Sequence, residues 1–231
     1  MNFIKFLKSN MYRLLFLLIL SFVLYSNSLN GEFVYDDIRT VVENSYLDSI
    51  NSLPEIFSTI SFWGEDRASR SYRPIATCSH QFINLIFKRN QFWFHVFNLV
   101  INSLNVMLVF FILTRFMPLK IAFAASCVFC VHPIHTEAVA NITGGAELLG
   151  AMFFLTSFSL LISCRQKISW QFIVAMIILF LGMLSKEHVV VLPVVYIIYL
   201  ILFDDTDSHY LKKLLPYKYH IILSFATVCL F

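Results

Sequence analysis

The sequence predicts an all-α protein that crosses a membrane several times. Of its 231 residues, 58% are hydrophobic and only 13% are charged, and the mean hydropathy is +0.74. An average soluble domain has about 45–50% apolar and about 25% charged residues, so this chain has too few charged side chains to cover a water-facing surface. Its net charge of +3 is small and scattered along the chain, which excludes nucleic acid as a partner and indicates the lipid bilayer instead.

Apolar runs close to the length of a membrane-spanning helix, about 20 residues, divide the chain. The complete spans are predicted at residues 14–29, 94–116, 119–134, 148–164, 168–184 and 189–203. Basic residues precede the first run, as in a secretory signal peptide, but the further spans favour an uncleaved signal anchor. A last run begins at residue 220 and is too short to cross a bilayer when the sequence stops at 231. We therefore expect an N-terminal fragment of a larger protein or an incomplete gene model.

The positions of Lys and Arg predict the orientation of these spans. With the N-terminus in the cytosol, the basic loops Arg115–Lys120 and Arg165–Lys167 both lie on the cytosolic side. Short loops carry this assignment, because long loops cross the membrane largely regardless of their charge. Residues 30–91, the long polar stretch of the chain, then form the first luminal loop.

Unusual polar segments of the chain fall on the luminal side in this orientation. Ionisable residues at membrane depth are costly, and they commonly mark a substrate path or a reaction site. The sequence therefore predicts one polar site at the luminal face. Its segments are residues 31–37, 71–74, 132–137, 144–147 and 185–188.

Asp36 and Asp37 are the candidate catalytic residues of this site. An isolated Asp-Asp pair in a loop is commonly a solvated turn, but this pair lies close to a membrane exit. Adjacent carboxylates repel each other, which suits one of them to accept a proton as a general base. A divalent cation held by the pair is the alternative, and no other cofactor is predicted. A loop edge contributes little packing, so we expect neither side chain to support the fold.

Arg73 and Lys186 are candidate ligands of a phosphate group. Arg73 offers a planar fork suited to bidentate phosphate contact, and Lys186 offers a compact charge. The simpler alternatives are an ordinary loop arginine before Pro74 and an ion pair between Lys186 and its neighbour Glu187 at a helix end. Glu187 is otherwise expected to line the site.

His132, His135, Glu137 and Glu147 are the remaining residues expected to line the site. The two histidines are three residues apart and share a face if the segment is helical. With Glu137 they could ligate a metal, but Pro133 disturbs a helix and His-x-x-His alone is unspecific. Hydrogen bonds to a polar ligand, or contact with the membrane interface, are favoured over a metal.

Asn98, Asn102 and Asn105 form a polar stripe on the second span, at positions i, i+4 and i+7. Amide side chains inside a membrane helix commonly donate hydrogen bonds to neighbouring helices. The stripe therefore predicts contacts between helices, with a lipid or ligand groove as the minority interpretation.

Several segments of the chain match one family in order and approximate spacing. They are Phe-Val-Tyr-Asp-Asp at 33–37, Tyr-Arg-Pro at 72–74 leading into Phe-His-Val-Phe-Asn at 94–98, His-Pro-Ile-His-Thr-Glu-Ala-Val-Ala at 132–140, Gly-Ala-Glu-Leu-Leu at 145–149 and Leu-Ser-Lys-Glu at 184–187. Together they resemble the transmembrane and tetratricopeptide-repeat O-mannosyltransferases of the endoplasmic reticulum. The block at 132–140 is the most specific of them.

The resemblance implies the fold of C-type glycosyltransferases, a helical bundle with a long first luminal loop. It also implies transfer of mannose from dolichyl-phosphate mannose to Ser or Thr hydroxyls of secretory-pathway proteins, cadherin-like domains among them. In that fold an acidic residue of the first luminal loop lies near the reacting centre, a role that falls here to Asp36 or Asp37. An inverting displacement with one base, and with Arg73 and Lys186 stabilising the phosphate charge, fits this chemistry.

Two departures from the family's pattern accompany the resemblance. The later spans and the C-terminal repeats of the family are absent from the sequence, and Gly144-Gly145 stands where relatives often carry Gly-Arg. A transporter or channel is the rival class, but it would place ionisable groups at mid-membrane and show inverted repeats. A non-catalytic membrane scaffold is the remaining alternative.

Overall fold

The computed structural model describes residues 3–59, 71–164, 168–203 and 214–229. Helices form the regular structure throughout these ranges, which contain no strand, and the prediction of an all-α membrane protein is confirmed. The α-helices are α1 Phe3–Ser9, α2 Met11–Tyr25, α3 Leu53–Ser58, α4 Pro74–Phe87, α5 Gln91–Leu113, α6 Leu119–Val131, α7 Thr136–Ala140, α8 Gly145–Leu161, α9 Trp170–Met183, α10 Leu192–Phe203 and α11 Lys218–Cys229.

Three helical segments in the described ranges are long and apolar enough to cross a membrane, namely Met11–Asn30, Gln91–Leu113 and Ile142–Leu161. A fourth span results if α6 and the segment Pro133–Ala140 are taken together across a bend of 48°. Helices α9 and α10 are apolar but shorter. Each predicted span therefore coincides with an apolar helix, while the number of membrane crossings stays a prediction.

Helix α6, which lies in the third predicted span, ends at Val131, and residues 132–134 of that span lie beyond it. Pro133 has no N–H to continue the helical hydrogen bonds. The ring nitrogen Nδ1 of His132 accepts the backbone N–H of Ile134 at 3.2 Å and caps the turn that follows. The chain therefore bends at the His-Pro pair and carries α7 away from the direction of α6.

The described part of the predicted luminal loop 30–91 includes the α-helices α3 and α4. Pro74 occupies the first turn of α4, where its fixed φ angle suits a helix and its missing N–H costs nothing. Ala76, His80 and Ile83 recur at helical spacing and are buried. The segment thus lies against the bundle as an ordered element, although its overall hydropathy is too low for a span.

Three parts of the sequence predictions lie outside the described residues. They are residues 60–70 of the first luminal loop, the basic loop Arg165–Lys167 used for the orientation, and residues 204–213 before α11. The orientation of the chain is therefore a proposal, to which we return below.

Helix α5 is the central element of the bundle and packs against α2, α6 and α8. The asparagine stripe on α5 forms hydrogen bonds to the neighbouring segments. The side-chain amide of Asn98 donates to the carbonyl of Asn141 at 2.8 Å, and that of Asn102 donates to Ser21 Oγ at 3.1 Å. Asn105 donates to the carbonyl of Leu148 at 2.9 Å. The predicted contacts between helices are confirmed, and they fix α2, α7 and α8 around α5.

Candidate active site

A cavity of about 570 Å³ lies where α2, α6 and α9 end and α8 begins. Its charged lining residues are Asp36, Arg73, Glu137, Glu147 and Lys186. All of them belong to the nine residues that the sequence predicted for the site. The cavity therefore brings together both predicted phosphate ligands, one of the two candidate bases, and two of the carboxylates expected to line the site.

Asp36 and Asp37 differ sharply in their surroundings. Asp36 is exposed and lines the cavity. Asp37 is fully buried, and its Oδ1 accepts the backbone N–H of Thr143 at 2.9 Å while its Oδ2 accepts that of Val34 at 3.2 Å. The expectation that neither carboxylate supports the fold is wrong for Asp37, because its two hydrogen bonds attach the loop to the segment before α8.

The Asp37 contacts also bear on the cation that the sequence left as an alternative. Both carboxylate oxygens of Asp37 accept backbone N–H groups and its side chain is fully buried, whereas Asp36 is exposed. Within the described ranges, no group of three or more His, Cys, Asp or Glu side chains is placed to hold a metal ion.

Tyr35, immediately before Asp36, has a left-handed backbone conformation with φ = 49°. For a residue with a large side chain this conformation is strained, and it is maintained only where the surrounding structure imposes it. The Asp37 hydrogen bonds on one side of Tyr35, and the contact between His95 Nε2 and the Gly31 carbonyl at 3.2 Å on the other, supply that constraint. The strained turn is what directs Asp36 to the cavity.

Arg73 lies directly before α4 and forms a bidentate ion pair with Glu187. Its Nη2 is 2.9 Å from Oε1, and its Nε is 3.3 Å from Oε2. Burial alone would raise the pKa of the Glu187 carboxyl, but the hydrogen bond and charge of Arg73 outweigh it and hold this pKa below its usual value of 4.5. A backbone hydrogen bond from Ile75 to the carbonyl of Leu184 joins the same two segments at 3.2 Å.

Lys186 pairs with Glu147 in the first turn of α8, and His188 Nδ1 lies 3.3 Å from the other oxygen of that carboxylate. Lys186 and its neighbour Glu187 thus pair with different segments instead of with each other. Gly150 makes this approach feasible, because a Cβ atom there would lie 2.9 Å from Lys186 Cβ. The segment 185–188 therefore links the start of α4 to the start of α8.

Gly145 lies close against Asn98 of α5. A Cβ atom at this position would lie 2.6 Å from Asn98 Oδ1, so any larger residue would require the Asn98 side chain to move. Among the described lining residues, Arg73 and Lys186 bring positive charge to the cavity.

The two histidines of the most specific block do not line the cavity. His132 caps the turn after α6, and the ring of His135 packs on that of Phe129 with centroids 4.4 Å apart. Their neighbours Ile134 and Glu137 do line it. In the structure the histidines shape the bend that carries Glu137 to the cavity.

Other residues of the site lie outside the segments that the sequence predicted for it. Asn141 and Thr143 line the cavity, and His95 on α5 contacts the Gly31 carbonyl at the start of the loop. Thr143 contributes a backbone N–H to Asp37, a role that any residue except proline can perform. No side-chain signal in the sequence could have found it.

The family of the chain follows from comparison with known proteins. Residues 74–231 match the family model described as dolichyl-phosphate-mannose-protein mannosyltransferase. The chain belongs to this family. The matched range begins at Pro74. It contains Glu147 and Lys186 but neither Asp36 nor Arg73.

Relatives of this chain carry consistent names. Protein O-mannosyl-transferase F38B6.6 of Caenorhabditis elegans is 38% identical over 184 residues, which are 76% of this chain and 26% of the relative. Protein O-mannosyl-transferase TMTC3 of Homo sapiens is 34% identical over 138 residues, or 58% of this chain and 15% of the relative. The resemblance inferred from the sequence is confirmed at the level of the O-mannosyltransferases.

The chain spans about a quarter or less of the length of these relatives. Protein O-mannosyl-transferase Tmtc1 of Drosophila melanogaster, 31% identical over 73% of this chain, is likewise covered over only 20% of its length. No solved structure matches the chain.

Proposed function

We propose that the protein transfers mannose from dolichyl-phosphate mannose to Ser or Thr hydroxyls of secretory-pathway proteins, with cadherin-like domains among the acceptors. The observation that carries the proposal is that one cavity, in a chain of the mannosyltransferase family, is lined by the exposed carboxylate of Asp36 and by the cations Arg73 and Lys186. These are the groups that a transfer from a phosphate-activated sugar to a hydroxyl requires.

The chemistry assigns a task to each group. Asp36 accepts the proton of the acceptor hydroxyl as its oxygen attacks the anomeric carbon of mannose. The bond between that carbon and the phosphate oxygen breaks, and Arg73 and Lys186 stabilise the charge that develops on the leaving phosphate. The products are the O-mannosylated protein, dolichyl phosphate and a proton held on Asp36. Attack on the face opposite the phosphate inverts the anomeric centre without a covalent enzyme intermediate.

The transfer itself is tested with membranes that contain the full-length protein. Radiolabelled mannose supplied as dolichyl-phosphate mannose is expected to appear on an acceptor protein, and β-elimination should release it because the link is to a Ser or Thr oxygen. Dolichyl-phosphate glucose is the control donor. Folded protein that labels no acceptor domain from a secretory-pathway panel, cadherin domains included, would contradict the proposed activity.

The proposal includes the location of the site. The protein lies in the endoplasmic reticulum membrane with a cytosolic N-terminus, six complete spans and residues 30–91 in the lumen, which the placement of Lys and Arg supports. Glycosylation reporters inserted near Ser49 and near Asp205 are expected to be modified only at Ser49. Modification at Asp205 alone would reverse the orientation and move the cavity to the cytosolic face.

A further inference from the structure

Both cations of the cavity already hold a carboxylate. The side chains of Arg73 and Lys186 are 15% and 17% exposed, whereas those of their partners Glu187 and Glu147 are 56% and 42% exposed. A mostly buried cation without a partner is strongly destabilising. The two glutamates therefore form ion pairs with the cations from the solvent side. An incoming ligand would approach from the same side.

The contacts have the geometry that a phosphate would use. Both oxygens of Glu187 face the fork of Arg73, and one oxygen of Glu147 faces the ammonium group of Lys186. Arginine binds carboxylate and phosphate through the same pair of parallel N–H donors. The carboxylates thus occupy the donor groups that a phosphate ester would need.

The charge of the cavity points the same way. Among the described residues that line it, the three carboxylates of Asp36, Glu137 and Glu147 outnumber the two cations Arg73 and Lys186. An anionic lipid donor is repelled by such a cavity as long as the carboxylates stay beside the cations. Movement of a paired glutamate toward solvent removes this repulsion and exposes the cation.

We infer that Glu147 and Glu187 are exchangeable partners that set the affinity of the enzyme for its donor. They hold Lys186 and Arg73 in place while the cavity contains no phosphate, and they yield both cations to the phosphate group when the donor binds. This inference rests on the proposed function, since it takes the phosphate to be that of dolichyl-phosphate mannose. In this role the two glutamates do not bind the donor. They compete with its phosphate for the two cations.

The exchange is tested by calorimetric titration of the full-length protein in detergent with dolichyl-phosphate mannose. Glu147→Gln and Glu187→Gln are each expected to tighten donor binding about fivefold, because a partly exposed ion pair no longer has to be broken. Without donor, both variants should melt at a lower temperature than the wild type, since a mostly buried cation loses its partner. Glu43→Gln, which removes an exposed carboxylate of the loop 30–91 outside the cavity, is the matched control and should change neither value.

Two further variants keep the test decisive. Glu147→Asp retains the charge but shortens the side chain, so it should fold and tighten donor binding by a smaller factor. In a Lys186→Met background, Glu147→Gln should bring a smaller gain, because the exchange at this pair is gone and only the repulsion between the carboxylate and the phosphate is removed. Dolichol, which lacks the phosphate, should bind all variants alike.

The outcomes separate the inference from the proposed function. Weaker or unchanged donor binding in Glu147→Gln and Glu187→Gln would overturn the exchange. Both ion pairs would then be structural contacts that persist when the donor binds. Folded wild-type protein that binds dolichyl-phosphate mannose no better than dolichol would instead overturn the proposed function on which the exchange rests.

Discussion

Replacement of Asp36 by Asn is expected to lower mannose transfer about 100-fold or more, the usual contribution of a general base. The exposed position of Asp36 leaves the fold unaffected, so the melting temperature and the affinity for the donor should stay close to those of the wild type. Transfer rates measured at saturating donor and acceptor, together with thermal unfolding, check this expectation.

Asp37→Asn is the control that the structure adds. An Asn side chain has one acceptor oxygen for the two N–H groups of Val34 and Thr143, so one buried donor loses its partner at a cost of ~1–3 kcal/mol. We therefore expect a clear fall in melting temperature for Asp37→Asn and none for Asp36→Asn. Full activity of Asp36→Asn would exclude it as the base, and an unchanged melting temperature of Asp37→Asn would contradict its anchoring role.

Replacement of Lys186 by Met is expected to weaken donor binding by ~1.5–3 kcal/mol, the range for a hydrogen bond to a charged group. Methionine keeps most of the length of the side chain, and the Glu147 carboxylate left behind is 42% exposed and can be solvated. Folding should therefore survive. Lys186→Arg should rescue only in part, because a planar fork does not replace a compact charge at the same place.

Titration with dolichyl-phosphate mannose measures the effect of Lys186→Met. Lys88→Met removes an exposed charge outside the cavity and should leave donor affinity unchanged. Unchanged affinity in Lys186→Met as well would make the lysine a structural partner of Glu147 with no contact to the donor.

Hydrophobicity alone was sufficient to predict the apolar helices, because inside a bilayer a helix satisfies the backbone of an apolar run. Local chemistry sets where such a helix ends: α6 stops at Val131 because Pro133 interrupts it, a signal that the sequence does contain. Helix α4 was not predicted because its hydropathy is ordinary, although Pro74 and the spacing of Ala76, His80 and Ile83 mark a helix.

The sequence indicated several residues that line the cavity, but it did not indicate which of them contact each other. Position at one membrane face identified Asp36, Arg73 and Lys186, because ionisable groups there are costly. Which carboxylate meets which cation depends on how helices pack, so the pairing of Lys186 with Glu147 could not be read from the chain. The difference between Asp36 and Asp37 likewise depends on a backbone N–H that belongs to Thr143.

Two contacts at the cavity, a hydrogen bond and an ion pair, join segments that are far apart in the sequence. Asp37 reaches a partner 106 residues later, and Arg73 reaches one 114 residues later. At about 5–20 residues per second, a ribosome needs roughly 6–23 s to extend the chain from Arg73 to Glu187. Until Glu187 is made, its ion pair with Arg73 cannot form, whereas the Asp37–Thr143 contact already can. The described lining of the cavity is therefore completed late in synthesis, when the segment after α9 emerges and brings Lys186 to Glu147 and Glu187 to Arg73.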